Sequence, residues 1–224
     1  MSKLWVTAVL PRPRIRFGGG LIAVLLCTAS PAATLKVAVA DLQGRPLAEA
    51  VVYAIPATGS SPPPAGVPRA VIDQVNKTFV PLVSVIRTGT EVRFPNSDNI
   101  RHSIYSFSPA KTFTAKLYSG KEAAPVIFDK PGLVVLGCNI HDQMVAWVVV
   151  VDTPHFAKTG ADGAAELKEL PAGDYQVRTW YPAPSFEPRV DAVHVAAEGA
   201  ELKVSVDSAS SPLPPLLRPG KEAP

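Results

Sequence analysis

Apolar residues recur at every second position in segment after segment of this chain, and glycine, proline or aspartate interrupts each run before a helix could form. Leu35, Val37 and Val39 alternate with Lys36, Ala38 and Ala40; Val92 and Phe94 alternate with Glu91 and Arg93; Leu202, Val204 and Val206 alternate with Lys203, Ser205 and Asp207. Successive side chains of an extended strand point to opposite faces, so this pattern reads as half-buried antiparallel strands. Turn signals fall between the runs at Gln43-Gly44, Thr88-Gly89, Lys130-Pro131-Gly132, Asp162-Gly163 and Pro171-Ala172-Gly173. No segment sustains helical periodicity over three turns, and an all-β sandwich protein is predicted.

The chain has 224 residues, enough for one or two domains at roughly 150 residues each. Residues 1–32 read as a secretory signal peptide: Arg12, Arg14 and Arg16 form a basic stretch, Leu21 to Cys27 is apolar, and Ser30-Pro31-Ala32 supplies small residues for cleavage. That apolar run is far shorter than the roughly 20 residues of a membrane span, and no later run reaches that length. The expected location is the periplasm or the exterior, with no transmembrane segment. Cys27 raises lipoprotein processing, but the bulky Leu25 and Leu26 before it speak against that. Of the later chain, residues 61–69 read as a proline-rich linker and 208–224 as a proline-rich disordered tail. Residues 70–152 form one unit, and residues 33–60 and 153–207 together form another.

Cleavage of the leader changes what the composition allows. It carries four of the 22 basic residues and no acidic one, which leaves 18 basic against 19 acidic residues and a net charge of −1. No basic stripe remains, so nucleic-acid binding has no electrostatic support. The mature chain also keeps a single cysteine, Cys138, and a single methionine, Met144. An intramolecular disulfide is then impossible, and so are zinc ribbons and iron–sulfur sites, while four histidines are too few for a multicopper oxidase.

Those two residues lie six positions apart with His141 midway, in the short connection between the predicted strands Leu133 to Gly137 and Val145 to Val151. A tight loop can aim a thiol, an imidazole and a thioether at one point, and those are the soft, borderline and weak axial donors that copper cycling between Cu(I) and Cu(II) requires. A lone buried cysteine is ordinarily an inert small hydrophobe and a lone methionine a gap filler, but the spacing of these three favours a metal site. A second imidazole would complete the set, and His102, beyond the strand Glu91 to Phe94 and the turn Pro95-Asn96-Ser97-Asp98, can supply it. His155 and His194 have no surrounding metal motif and read as structural or solvent-facing. Trp147 and Trp180 read as core residues.

Val92-Arg93-Phe94-Pro95-Asn96-Ser97-Asp98 leading to His102, then Phe128-Asp129-Lys130-Pro131-Gly132, then Cys138-x2-His141-x2-Met144, resembles the cupredoxins, the plastocyanin and amicyanin type of blue copper protein. The resemblance covers about residues 70–152, and chains of this kind are often labelled methylamine-utilisation proteins. It implies a Greek-key cupredoxin sandwich with one type 1 copper ion ligated by His102, Cys138, His141 and Met144, serving one-electron transfer rather than catalysis. It further implies a redox protein partner that docks near His141. Tyr105 and Phe107, which follow His102, are expected from packing to line the apolar wall of the copper pocket. The chain departs from the family in three places. The loop carries Asn139, Ile140, Asp142 and Gln143 where prolines are common, so its stiffness must come from elsewhere. Ser103 follows His102 where many cupredoxins have asparagine. Asp142 makes the rim beside His141 more polar.

The flanking segments Leu35 to Ala40, Ala50 to Ile55, Phe156 to Thr159, Leu167 to Gly173 and Tyr175 to Trp180 resemble a carboxypeptidase-regulatory-like β-sandwich, a support or carbohydrate-binding-like module. The cupredoxin is then inserted into it, or the two pack as one continuous body. Rival functions are a periplasmic copper chaperone or store using the same ligands, and a glycan-binding sandwich with incidental copper. A nitrite-reductase-like enzyme is disfavoured, because His155 and His194 cannot make a second, three-histidine copper site within one chain.

Overall fold

The computed structural model describes residues 32–120, 122–182 and 187–209. The predicted leader and tail lie outside these, apart from Ala32, Ser208 and Ala209. All regular structure among the described residues is β: β1 (Ala33–Asp41), β2 (Val51–Pro56), β3 (Arg69–Val71), β4 (Asp73–Val75), β5 (Thr78–Val80), β6 (Val83–Arg87), β7 (Thr90–Arg93), β8 (His102–Ser108), β9 (Lys111–Tyr118), β10 (Val126–Phe128), β11 (Gly132–Gly137), β12 (Val145–Val151), β13 (Phe156–Lys158), β14 (Ala164–Leu170), β15 (Gly173–Trp180), β16 (Arg189–Val195) and β17 (Ala200–Val206). No helix among them is long and apolar enough to cross a membrane.

The strands sort into five sheets. Those contributed by the middle of the chain have the orders β6-β12-β11-β8-β9, β10-β7-β3 and β4-β5; those from the flanks have β14-β1-β17 and β13-β2-β15-β16. Not every pairing is antiparallel, as the alternation alone led us to expect. β1 runs parallel to β17, β6 to β12 and β3 to β7. Parallel pairing becomes favourable where a strand is covered on both sides. That is the situation of β12, whose VAWVVVV run is buried from Ala146 to Val151.

β12 joins two hydrophobic cores. Ala146, Val148 and Val150 point into a cluster with Phe79, Val92, Phe94, Ile104, Phe128, Val134, Leu136, Cys138 and Met144. Trp147, Val149 and Val151 point the other way, into a larger cluster built with Leu35, Val37, Val39, Val51, Val52, Leu167, Val177 and Trp180 of the flanking strands. The period-two geometry of one strand therefore couples the sheets that carry the candidate site to the sheets that flank them. Turn chemistry fixes the registers. At Gly163, φ is +71° and an added Cβ would lie 2.5 Å from the Val39 carbonyl oxygen, so only glycine lets the β13–β14 connection pack this close to β1.

Trp147 is the residue to probe. Trp147→Ala should lower stability by about 3–5 kcal/mol, whereas Phe107→Ala, at a side chain 76% exposed, should change it by less than about 0.5 kcal/mol. Urea unfolding followed by circular dichroism measures both. Because the core is shared across β12, the wild-type chain should unfold in one transition, and two separated transitions would contradict that coupling.

Candidate metal centre

Three of the predicted donors meet at one end of the five-stranded sheet. His102 opens β8, Cys138 follows the last residue of β11, and His141 sits in the bend that leads to β12. β8 and β11 are neighbours, with Gly137 paired to Tyr105. That pairing carries Cys138 past the end of the ladder to the side chain at the start of β8. The His102 Nδ1 atom lies 3.8 Å from Cys138 Sγ, and His141 Nδ1 lies 3.9 Å from the same sulfur. The two imidazole rings are tilted at 55° with centroids 4.9 Å apart. One ligand atom from each of the three residues falls within 4.8 Å of the other two, the one such group among the described residues.

The spacing fits a metal ion. A first-row ion bonded to a thiolate at about 2.3 Å and an imidazole at about 2.0–2.1 Å in a trigonal arrangement holds those two donor atoms roughly 3.7–3.8 Å apart. Both observed separations are close to that value, and the donor set is the His2Cys combination suited to copper. Met144 is buried in the same apolar cluster as Cys138, one residue before β12. His102, Cys138 and Met144 are 0%, 3% and 1% exposed. His141 is half-buried, among exposed Asn139, Ile140, Asp142 and Gln143.

Hydrogen bonds do the stiffening that prolines would otherwise provide. The Met144 N–H donates to the His141 carbonyl at 2.9 Å, and the Val145 N–H donates to that of Gln143 at 3.1 Å. The Asn139 N–H donates to Ser103 Oγ at 3.0 Å, tying the loop back to β8. Ser103 Oγ also lies 3.9 Å from Cys138 Sγ. Serine here links the strand of one ligand to the loop of the other two.

Asp98 does more than form a turn. Its Oδ2 accepts a hydrogen bond from His102 Nε2 at 2.7 Å. A carboxylate can only accept there, so this contact selects a ring protonated at Nε2, and in the neutral ring that tautomer leaves the Nδ1 lone pair facing Cys138. Burial pushes the Asp98 carboxyl pKa up, but the Lys77 N–H, the His102 imidazole and the Asn76 N–H outweigh it and hold the group below its ordinary value. The sequence offered one faint signal for this contact, a carboxylate four residues before a candidate ligand.

Tyr105 and Phe107 do not line the pocket as expected. Ile104 and Ser106 are the residues of β8 that face inward, so the alternation puts Tyr105 and Phe107 on the outer face of the sheet. Their rings stack there with centroids 5.2 Å apart. His155 and His194 lie away from the cluster: His155 packs edge-on to Tyr175, and His194 pairs with Asp174 at 2.7 Å on the surface. Trp147 and Trp180 are both buried in the larger core.

No family model and no curated protein matches this chain. Among solved structures, similarity extends to a copper-containing nitrite reductase from Thermus scotoductus SA-01 at 25% identity, covering 43% of this chain and 25% of that one, with a TM-score of 0.36. It extends also to a purple cupredoxin from Nitrosopumilus maritimus at 23% identity, covering 38% and 99%, with a TM-score of 0.33. The reduced state of an amicyanin mutant is 18% identical over 44% and 99%, with a TM-score of 0.34. The matched region thus spans a quarter of the nitrite reductase and less than half of this chain.

Ser103→Ala removes the acceptor of the Asn139 N–H. The expected cost is about 1–3 kcal/mol, read from urea unfolding of the metal-free protein. An unchanged midpoint would show that the loop is held without this bond.

Proposed function

We propose that this chain is an exported type 1 copper protein of the cupredoxin kind, carrying single electrons between redox partners with His102, Cys138, His141 and Met144 around one copper ion. The observation that supports it most is the convergence of one thiol and two imidazoles at 3.8 and 3.9 Å inside a β framework. Copper, when bound there, supplies a one-electron Cu(I)/Cu(II) couple.

The chain's own residues account for the rest of the chemistry. Cys138 provides the thiolate, giving up its proton when metal binds. His102, pinned by Asp98, cannot turn its ring, so its Nδ1 stays aimed at the same point. The thioether of Met144, in the same buried cluster, would supply a weak fourth donor to the ion. Strands and loop hydrogen bonds hold these donors in one arrangement, which leaves little to rearrange when an electron arrives.

His141 is the route outward. It alone of the four donors reaches the surface, and Ile140 beside it is 49% exposed, an apolar contact for a docking redox protein. Enclosure of the other three favours resident metal over a transferable ion, and hence a carrier over a chaperone or store. Four protein donors on one ion would leave little room for a substrate on the metal, which favours a carrier over an enzyme. Export rests on the leader read from residues 1–32. The flanking strands, which precede and follow this unit and pack on it through Trp147, act as its support.

Loading the full mature chain with Cu(II) should give an intense visible absorption from thiolate-to-copper charge transfer, and Cys138→Ser should abolish it. Copper bound tightly without that band would contradict the carrier function.

A further inference from the structure

The β4–β5 hairpin has no evident part in holding metal, yet it is built against the site. Its strands pair Asp73 with Val80, Gln74 with Phe79 and Val75 with Thr78, leaving a two-residue turn at Asn76 and Lys77. Both turn residues have positive φ, 51° and 57°, the conformation of the hairpin turn that suits the twist of its strands. Their backbone N–H groups point out of the hairpin. The Asn76 N–H donates to Asp98 Oδ1 at 2.6 Å and the Lys77 N–H to Oδ2 at 2.9 Å. Successive amides arranged this way form an anion-binding concavity.

The segment carrying Asp98 is braced on the same hairpin. The Ser97 hydroxyl donates to Asp73 Oδ2 at 2.7 Å, the Ser97 N–H donates to the Gln74 carbonyl at 3.1 Å, and the Gln74 amide donates to the Pro95 carbonyl at 3.1 Å. Asn96 closes the other side, its amide donating to the carbonyls of Ile100 and Tyr118, both at 2.9 Å. The Asp98 side chain, 12% exposed, therefore has a fixed position and three N–H donors, with His102 Nε2 the only side chain among them.

We propose that Asp98, gripped by the Asn76–Lys77 amides, is a positioning residue for the copper ligand His102 and biases the centre toward Cu(II). The proposal rests on the copper reading above. A fixed anion on the far nitrogen of a ligating imidazole sets the ring's tautomer and orientation and raises its basicity as a ligand. Added negative charge favours the more positive oxidation state of the metal one imidazole away. The hairpin turn anchors the anion so that it does not swing to solvent when the metal is reduced.

Asp98→Asn keeps the size and an acceptor oxygen and removes the charge. In the copper-loaded full chain, Cu(II) affinity should fall about tenfold more than Cu(I) affinity. That corresponds to a reduction potential higher by about 59 mV for a one-electron couple. The thiolate-to-copper band should remain in the variant. A variant that keeps the band and the wild-type potential overturns the bias toward Cu(II). A wild-type chain that never develops the band overturns the copper reading instead, and the bias with it. Nitrogen NMR of the metal-free wild-type protein tests the positioning on its own, even if the variant does not fold. His102 should be protonated at Nε2 with Nδ1 bare, and the opposite tautomer or a mixture would overturn Asp98's hold on the ring.

Discussion

Where β8 and β11 pass each other at Gly137, there is no room for a side chain: the Tyr105 ring lies where a Cβ would stand, its Cζ atom only 2.6 Å from that position. The β8–β11 ladder, in which Gly137 pairs with Tyr105, sets how far Cys138 sits from the start of β8, and so how far its sulfur sits from His102. Everything else at the site is arranged around that distance. The Ser103 hydroxyl takes the Asn139 N–H just beyond the last ladder pair, and two short backbone hydrogen bonds fold the loop so that His141 returns to the sulfur. A side chain at Gly137 would push the Tyr105 ring outward from this position.

The second constraint is β12. A strand buried on both faces is usual in parallel sheets, and here it lets one run of valines and Trp147 belong to two cores at once. Met144 precedes that strand directly, so the axial donor candidate is held by the most deeply packed element near the site. The flanking sheets bury Trp147, Val149 and Val151 and thereby brace the outer side of the sheet whose end carries the donors.

Much of this could be read from residues alone, for identifiable reasons. Cys138, His141 and Met144 are separated by so few residues that a bend between two strands leaves them little freedom, and their proximity follows from spacing. The alternation in Leu35–Val39 and in Leu202–Val206 marks strands whatever they pair with, but pairing direction depends on distant chain segments, and the parallel match of β1 with β17 has no local signature. His102 could be named only by its chemistry and rough distance along the chain. Tyr105 and Phe107 have the aromatic character of a pocket wall, but strand parity turns them to the outer face. Asp98 looked like an ordinary turn residue because its amide partners are 21 and 22 positions away, in a hairpin whose turn residues carry no recognisable motif.

The fold brings one sulfur and two imidazoles to a single point, the donor set that the proposed copper carrier needs. X-ray absorption at the copper edge, recorded on the loaded chain in both oxidation states, tests it most directly. One short copper–sulfur bond and two copper–nitrogen bonds per metal are expected, with nearly the same distances after reduction. A shell of nitrogen and oxygen alone, or a coordination sphere that changes its ligands when the metal is reduced, would contradict it.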